Sequence, residues 1–99
     1  MSYVVQMTPA AHKMLKKLSP QIRKQIVEEA QKLQDQPYLG QQLRGEFQQF
    51  YSLHIKFSNV QYRVGYEIHE SLQEILIRAV GVRENFYRRL EEMKIKPLG

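Results

Sequence analysis

Two runs of strict alternation constrain this chain more than any other feature. In the first, Tyr51, Leu53, Ile55 and Phe57 alternate with Ser52, His54 and Lys56; in the second, Tyr62, Val64, Tyr66 and Ile68 alternate with Arg63, Gly65 and Glu67. A period of two marks strands with one buried face. Ser58-Asn59-Val60-Gln61 between them reads as a four-residue turn. Keeping the apolar sides together sets Phe57 opposite Tyr62, Ile55 opposite Val64 and Leu53 opposite Tyr66. On the other face this register puts Lys56 across from Arg63 and His54 across from Gly65, with His54 a diagonal neighbour of Arg63. A hairpin with an imidazole, an ammonium and a guanidinium on one face is the expected centre of the molecule.

The rest of the chain supplies layers around it. Tyr3 to Met7 is a short apolar run, expected as an opening strand. Thr8-Pro9 and Ser19-Pro20 each place an N-cap before a proline suited to a first helical turn. Ala11, Met14, Leu15 and Leu18 mark the inner face of the first helix, and Ile22, Ile26, Ala30 and Leu33 that of the second. The second helix is expected to end near Gln36, because Pro37 disfavours helix in the residue before it. Pro37 to Gly40 is a turn-rich link, and Gln42-Leu43-Arg44-Gly45 leads into the sheet. Ile75, Ile77 and Ala79, with Leu76 and Val80 on the other side, form a last strand closed by Gly81. Arg83 to Leu90 opens a final helix with Phe86, Leu90 and Met93 inside. The order β-α-α-β-β-β-α predicts a single α+β domain over residues 1–99: an N-terminal strand, a helix hairpin, a largely antiparallel sheet and a C-terminal helix.

Charge narrows the partners. Fifteen Lys and Arg against ten Asp and Glu give a formal charge of +5, which favours polyanions or an acidic protein. His12, Lys13, Lys16, Lys17, Arg23, Lys24 and Lys32 fall on the outer faces of the two helices, where they serve either polyanion attraction or plain solubility. The absence of cysteine excludes a disulfide framework, a thiolate zinc site and a cysteine nucleophile. His, Asp and Glu spacing suggests no metal site, and no cofactor motif is present. With neither a signal peptide nor a membrane-length apolar run in the sequence, the expected location is cytoplasmic.

Leu43-Arg44-Gly45, Tyr62-Arg63-Val64-x-Tyr66, and Val80-Gly81-Val82-Arg83 followed by Tyr87 occur in that order behind a helix hairpin. In this the chain resembles the RelE/ParE superfamily of type II toxin–antitoxin toxins. The RelE branch cleaves mRNA on the ribosome, and the ParE branch poisons DNA gyrase. A RelE-like identity implies a metal-free ribonuclease that uses the substrate's own 2′-hydroxyl as nucleophile. Arg63 would then clamp the phosphate in a bidentate way, Arg83 would stabilise charge developing on it, and Tyr87 would stack on a base or orient the 2′-hydroxyl. Arg44 matches a backbone-contacting arginine, and Lys13, Lys16 and Lys17 would extend the RNA contact. Where the best-known RelE enzyme carries two lysines on the first hairpin strand, this chain has Ser52 and His54, with Lys56 one step further. His54 is then the expected general base, since an imidazole titrating near about pH 6.5 suits neutral solution. The resemblance further implies a cognate antitoxin, with mRNA and the ribosome as targets. Its alternatives are a ParE-like gyrase inhibitor without nuclease activity, or a non-catalytic antitoxin-binding module.

Overall fold

The two Ser/Thr-Pro signals start two helices. In the computed structural model, which describes residues 2–82, α1 runs over Pro9–Lys16 and α2 over Pro20–Gln31. Thr8 Oγ1 accepts from the Ala11 amide at 3.1 Å, and Ser19 Oγ accepts from the Ile22 amide at 3.5 Å. Each such cap is worth about 1 kcal/mol to its helix. The chain then tightens into a 3₁₀ turn, Lys32–Gln34, so α2 proper ends earlier than the proline alone implies.

Five strands form one sheet: β1 (Val4–Met7), β2 (Gln41–Gln42), β3 (Tyr51–Phe57), β4 (Val60–His69) and β5 (Glu74–Val82), in the order β1-β5-β4-β3-β2. β1 lies parallel to β5, with Val4 beside Glu74; the other pairings are antiparallel. The α+β expectation holds, with β2 as an added two-residue strand. The expected C-terminal helix lies outside the described residues. None of the described helices is long and apolar enough to cross a membrane.

Both helices cover one face of the sheet. Ala11, Leu15, Ile26, Ala30 and Leu33 pack with Leu53, Ile55, Tyr62, Val64, Tyr66, Ile75, Ile77 and Val80 in a continuous core. Each fully buried Leu, Ile or Val contributes about 1.5–3 kcal/mol. Among the described residues the other face carries the polar side chains of the alternation together with the buried pair Phe50 and Ala79.

Two details of the sheet differ from the expectation. The hairpin turn has two residues, Ser58 (φ 49°) and Asn59 (φ 66°), both left-handed. That is the conformation a tight hairpin needs to match strand twist. The register therefore slides by two: Phe57 faces Val60, Ile55 faces Tyr62, Leu53 faces Val64, and His54 lies directly across from Arg63. A slip of two keeps every side chain on its face. In β5, a bulge beside Gly65 and Tyr66 leaves Arg78 as the extra residue, since Gly65 faces Ala79 and Tyr66 faces Ile77. A bulge inverts the alternation beyond it. Val80 thereby joins Ile75 and Ile77 in the core, while Ala79 turns to the opposite face against Phe50.

Replacing Ser58-Asn59 by Asn-Gly, which favours two successive left-handed residues, is expected to stabilise the domain by about 1 kcal/mol. Thermal melting should then shift upward by about 4–8 °C. An unchanged or lower Tm would contradict the two-residue turn.

Candidate functional site

On the face opposite the helices the corrected register makes a cross-strand pair. Arg63 Nη1 lies 2.8 Å from His54 Nε2. A guanidinium can only donate, so in this contact Nε2 accepts, the role open to it in the tautomer that carries its proton on Nδ1. Arg63 is 8 % exposed, whereas His54 is open to solvent. Gly81 lies on the other side of Arg63, on β5. A Cβ built there meets nothing within 4 Å among the described residues, so these leave room beside the guanidinium. Its value is this room and not backbone freedom, because Gly45 is the glycine with a positive φ among the described residues.

Two cavities meet at His54. One, of about 260 Å³, is lined by Gln41, Gln42, Arg44, Phe47, His54 and Arg63. Gly45, at φ 64°, lets the chain turn sharply after Arg44 and leaves the arginine exposed at the rim. The other, of about 540 Å³, lies between α2 and the outer edge of β3, with Gln36, Gln41, Ser52 and His54 in its walls.

The loop that separates these cavities is pinned from below. Tyr66, fully buried in the core, donates its hydroxyl to the Pro37 carbonyl at 2.8 Å and accepts from the Gly40 amide at 2.9 Å. Burial raises the Tyr66 pKa above the ordinary tyrosine value and keeps the hydroxyl protonated. Tyr51 stacks on Tyr66 at 5.7 Å, and Tyr38 meets Tyr51 edge-on. The Tyr38 hydroxyl donates to Glu70, which pushes its pKa up to about 12.

The expected site residues fall into four groups. His54, Arg63 and Arg44 are brought to one cleft. Lys56 is exposed one step along β3 on the same face as His54, opposite Gln61. Ser52 is not an exposed contact: it is 1 % exposed, and its hydroxyl has no hydrogen-bond partner among the described residues. Lys13, Lys16 and Lys17 are exposed on α1 but line neither cavity. Arg83 and Tyr87 lie outside the described residues. Gln41 and Gln42 were not foreseen at the site; a two-residue strand of glutamines leaves no periodic signal.

The helix hairpin holds the net charge. Five Lys and Arg precede Glu28, the first acidic residue, so these 27 residues account for the formal +5 and the remainder balances. Near the bulge, Arg78 Nε lies 3.2 Å from Glu67 Oε2, and His69 Nε2 lies 2.8 Å from Glu67 Oε1. These groups hold one another rather than a ligand.

The comparisons with known proteins follow this geometry. Residues 5–91 match the family described as ParE-like toxin of type II bacterial toxin–antitoxin system. The toxin–antitoxin complex RelBE2 from Mycobacterium tuberculosis contains a chain 30% identical, with a TM-score of 0.76 over 84% of this chain and 100% of that one. A mutant of the E. coli toxin RelE in the free state is 22% identical, with a TM-score of 0.80 over 97% and 100%. The intact E. coli RelBE toxin–antitoxin complex gives 22% identity and a TM-score of 0.71 over 82% and 96%. No curated protein sequence matches.

Proposed function

Since the chain belongs to the ParE-like toxins of type II bacterial toxin–antitoxin systems, we propose that it is a RelE-like endoribonuclease cleaving mRNA on the ribosome. The observation that carries the reading is the pairing of His54 with Arg63 in a cleft that also holds Arg44. A neutral imidazole beside two guanidiniums supplies a proton acceptor and a phosphate clamp in one place.

The chemistry runs through an exchange. In the resting pair the Nε2 lone pair of His54 is occupied by Arg63. An incoming phosphodiester offers the guanidinium a charged acceptor, and Arg63 turns to it, which frees Nε2. His54 then takes the proton of the substrate 2′-hydroxyl. The 2′-oxygen bonds to phosphorus as the bond from phosphorus to the 5′-oxygen breaks, leaving a cyclic phosphate and a 5′-hydroxyl. Lys56, on the same face, donates the proton that the departing oxygen needs. Arg44 holds the neighbouring backbone. The family resemblance assigns charge stabilisation on the phosphate to Arg83, and stacking on a base or orienting the 2′-hydroxyl to Tyr87; both lie outside the described residues. The reaction draws on no metal or cofactor. A cognate antitoxin in the cytoplasm holds the toxin in check, as toxins of this fold are found bound in the two RelBE complexes.

Induced expression, followed by mapping of cellular mRNA 5′ ends, tests the reading. New 5′ ends inside translated codons are expected, and co-expression of the antitoxin should abolish them. Growth arrest with intact mRNA and gyrase-dependent DNA breaks would overturn it. That second reading, gyrase inhibition, is favoured by the burial of Ser52, which leaves His54 without a basic neighbour at that position on β3. Under the ribonuclease reading, Lys56→Ala is expected to lower the cleavage rate about tenfold or more, with message affinity little changed, in a ribosome-programmed assay.

A further inference from the structure

We infer that the 540 Å³ cavity at the outer edge of β3 seats one nucleobase of the message, beside the phosphate held at Arg63. The inference rests on the ribonuclease reading and adds to it the residues that choose the sequence.

β2 pairs only with Tyr51 and Ser52. From Leu53 onward the outer edge of β3 has no strand beside it among the described residues, and the cavity opens there. Its size falls within the range of small-molecule sites, about 300–1,000 Å³. The two cavities share His54 and Gln41. A single strand of RNA that places its phosphate between Arg44 and Arg63 therefore has an adjoining nucleoside at the entrance to the larger cavity.

The lining chemistry separates the two cavities. In the larger one, Lys32 Nζ and Glu29 Oε2 are 2.9 Å apart and neutralise each other. Among the described residues this leaves the amides of Gln36 and Gln41, beside the His54 ring and the buried Ser52 hydroxyl, as the polar lining. An amide offers one donor and one acceptor side by side, which matches the edge of a base. Single-stranded RNA is read in this way, by hydrogen bonds to the edges of splayed bases. A phosphate would find its cations in the smaller cavity, at Arg44 and Arg63.

The wall that carries Gln41 is also fixed in advance. Gly40 is tied to the Tyr66 hydroxyl at 2.9 Å, and a Cβ at Gly40 would come within 2.7 Å of that oxygen and 2.8 Å of the Ser52 carbonyl oxygen. The chain is thus pressed against the core one residue before Gln41. Pre-positioned polar groups discriminate better than mobile ones.

The test uses the purified full chain on ribosomes translating a message that contains every codon, with cuts mapped for the wild type, Gln41→Ala and Gln36→Ala. The wild type is expected to favour one base at a position adjoining the cut. Gln41→Ala should flatten that preference by about tenfold, the discrimination that one bidentate amide–base pair provides. An identical base preference in both variants would overturn the inference. If the wild type cuts no message, the ribonuclease reading fails by itself, and the cavity is probed with the four nucleoside 5′-monophosphates. Amide shifts at Gly40 and Gln41 that depend on the base would sustain the nucleobase seat. No shifts, or equal shifts with inorganic phosphate, would overturn it too.

Discussion

His54→Ala is expected to slow mRNA cleavage by 10²–10⁴-fold, the range that a positioned general base contributes. The fold should be unaffected, because His54 is exposed and lies opposite the helix-covered core. Arg63→Ala should cost about 10²–10³-fold, as loss of one preorganised donor to a developing oxyanion does. The informative variant is the double one. The two side chains touch at 2.8 Å and act in one exchange, so their losses should not multiply. Arg63→Lys separates charge from shape: it keeps the cation but loses the bidentate fork, and a loss close to that of Arg63→Ala is expected. The pH–rate profile supplies the sign. A protonated imidazole cannot accept the 2′-hydroxyl proton, so a rising limb due to the base should be absent in His54→Ala. Single-turnover cleavage of a ribosome-bound message measures all four variants. Wild-type rates in His54→Ala would remove the imidazole from the mechanism.

The second large effect concerns stability. Tyr66→Ala removes a fully buried ring and both hydrogen bonds that pin the Pro37–Gly40 segment. Loss of a buried aromatic costs about 3–5 kcal/mol, enough to lower the Tm of a domain this size by more than about 10 °C. Tyr66→Phe isolates the hydroxyl: the Gly40 amide and Pro37 carbonyl each lose their partner, at about 1–3 kcal/mol. Gly40→Ala strikes the same contact from the other side. Differential scanning calorimetry of the free toxin orders the three variants. A Tyr66→Ala protein melting within a few degrees of wild type would show that the tyrosine does not anchor the loop.

The hairpin was legible because burial on a single face imposes a period of two, and the apolar residues of β3 and β4 keep to it in sequence, although Ser52 and Arg63 on the other face are buried as well. The register was not. Ser58-Asn59 lacks the glycine that usually announces a two-residue turn, so the longer turn read as well. The bulge at Arg78 was equally silent: Ala79 and Val80 are both apolar, and either phase of alternation buries one of them. The burial of Ser52 depends on Gly65 and Ala79, small residues that reach its level only once three strands are aligned. At the site, His54 and Arg63 could be named because two strands share a face. The start of the rim, at Gly40, is tied by Tyr66, which lies distant in sequence, and the alternation assigned that tyrosine only to the core.

The parallel pairing of β1 with β5 has a consequence for biosynthesis. Glu74, the neighbour of Val4 in the sheet, is made seventy positions after it. Such pairings bear a large loop-closure cost and form late. At about 5–20 residues per second, the nascent chain spends seconds without a completed sheet to support its own cleft.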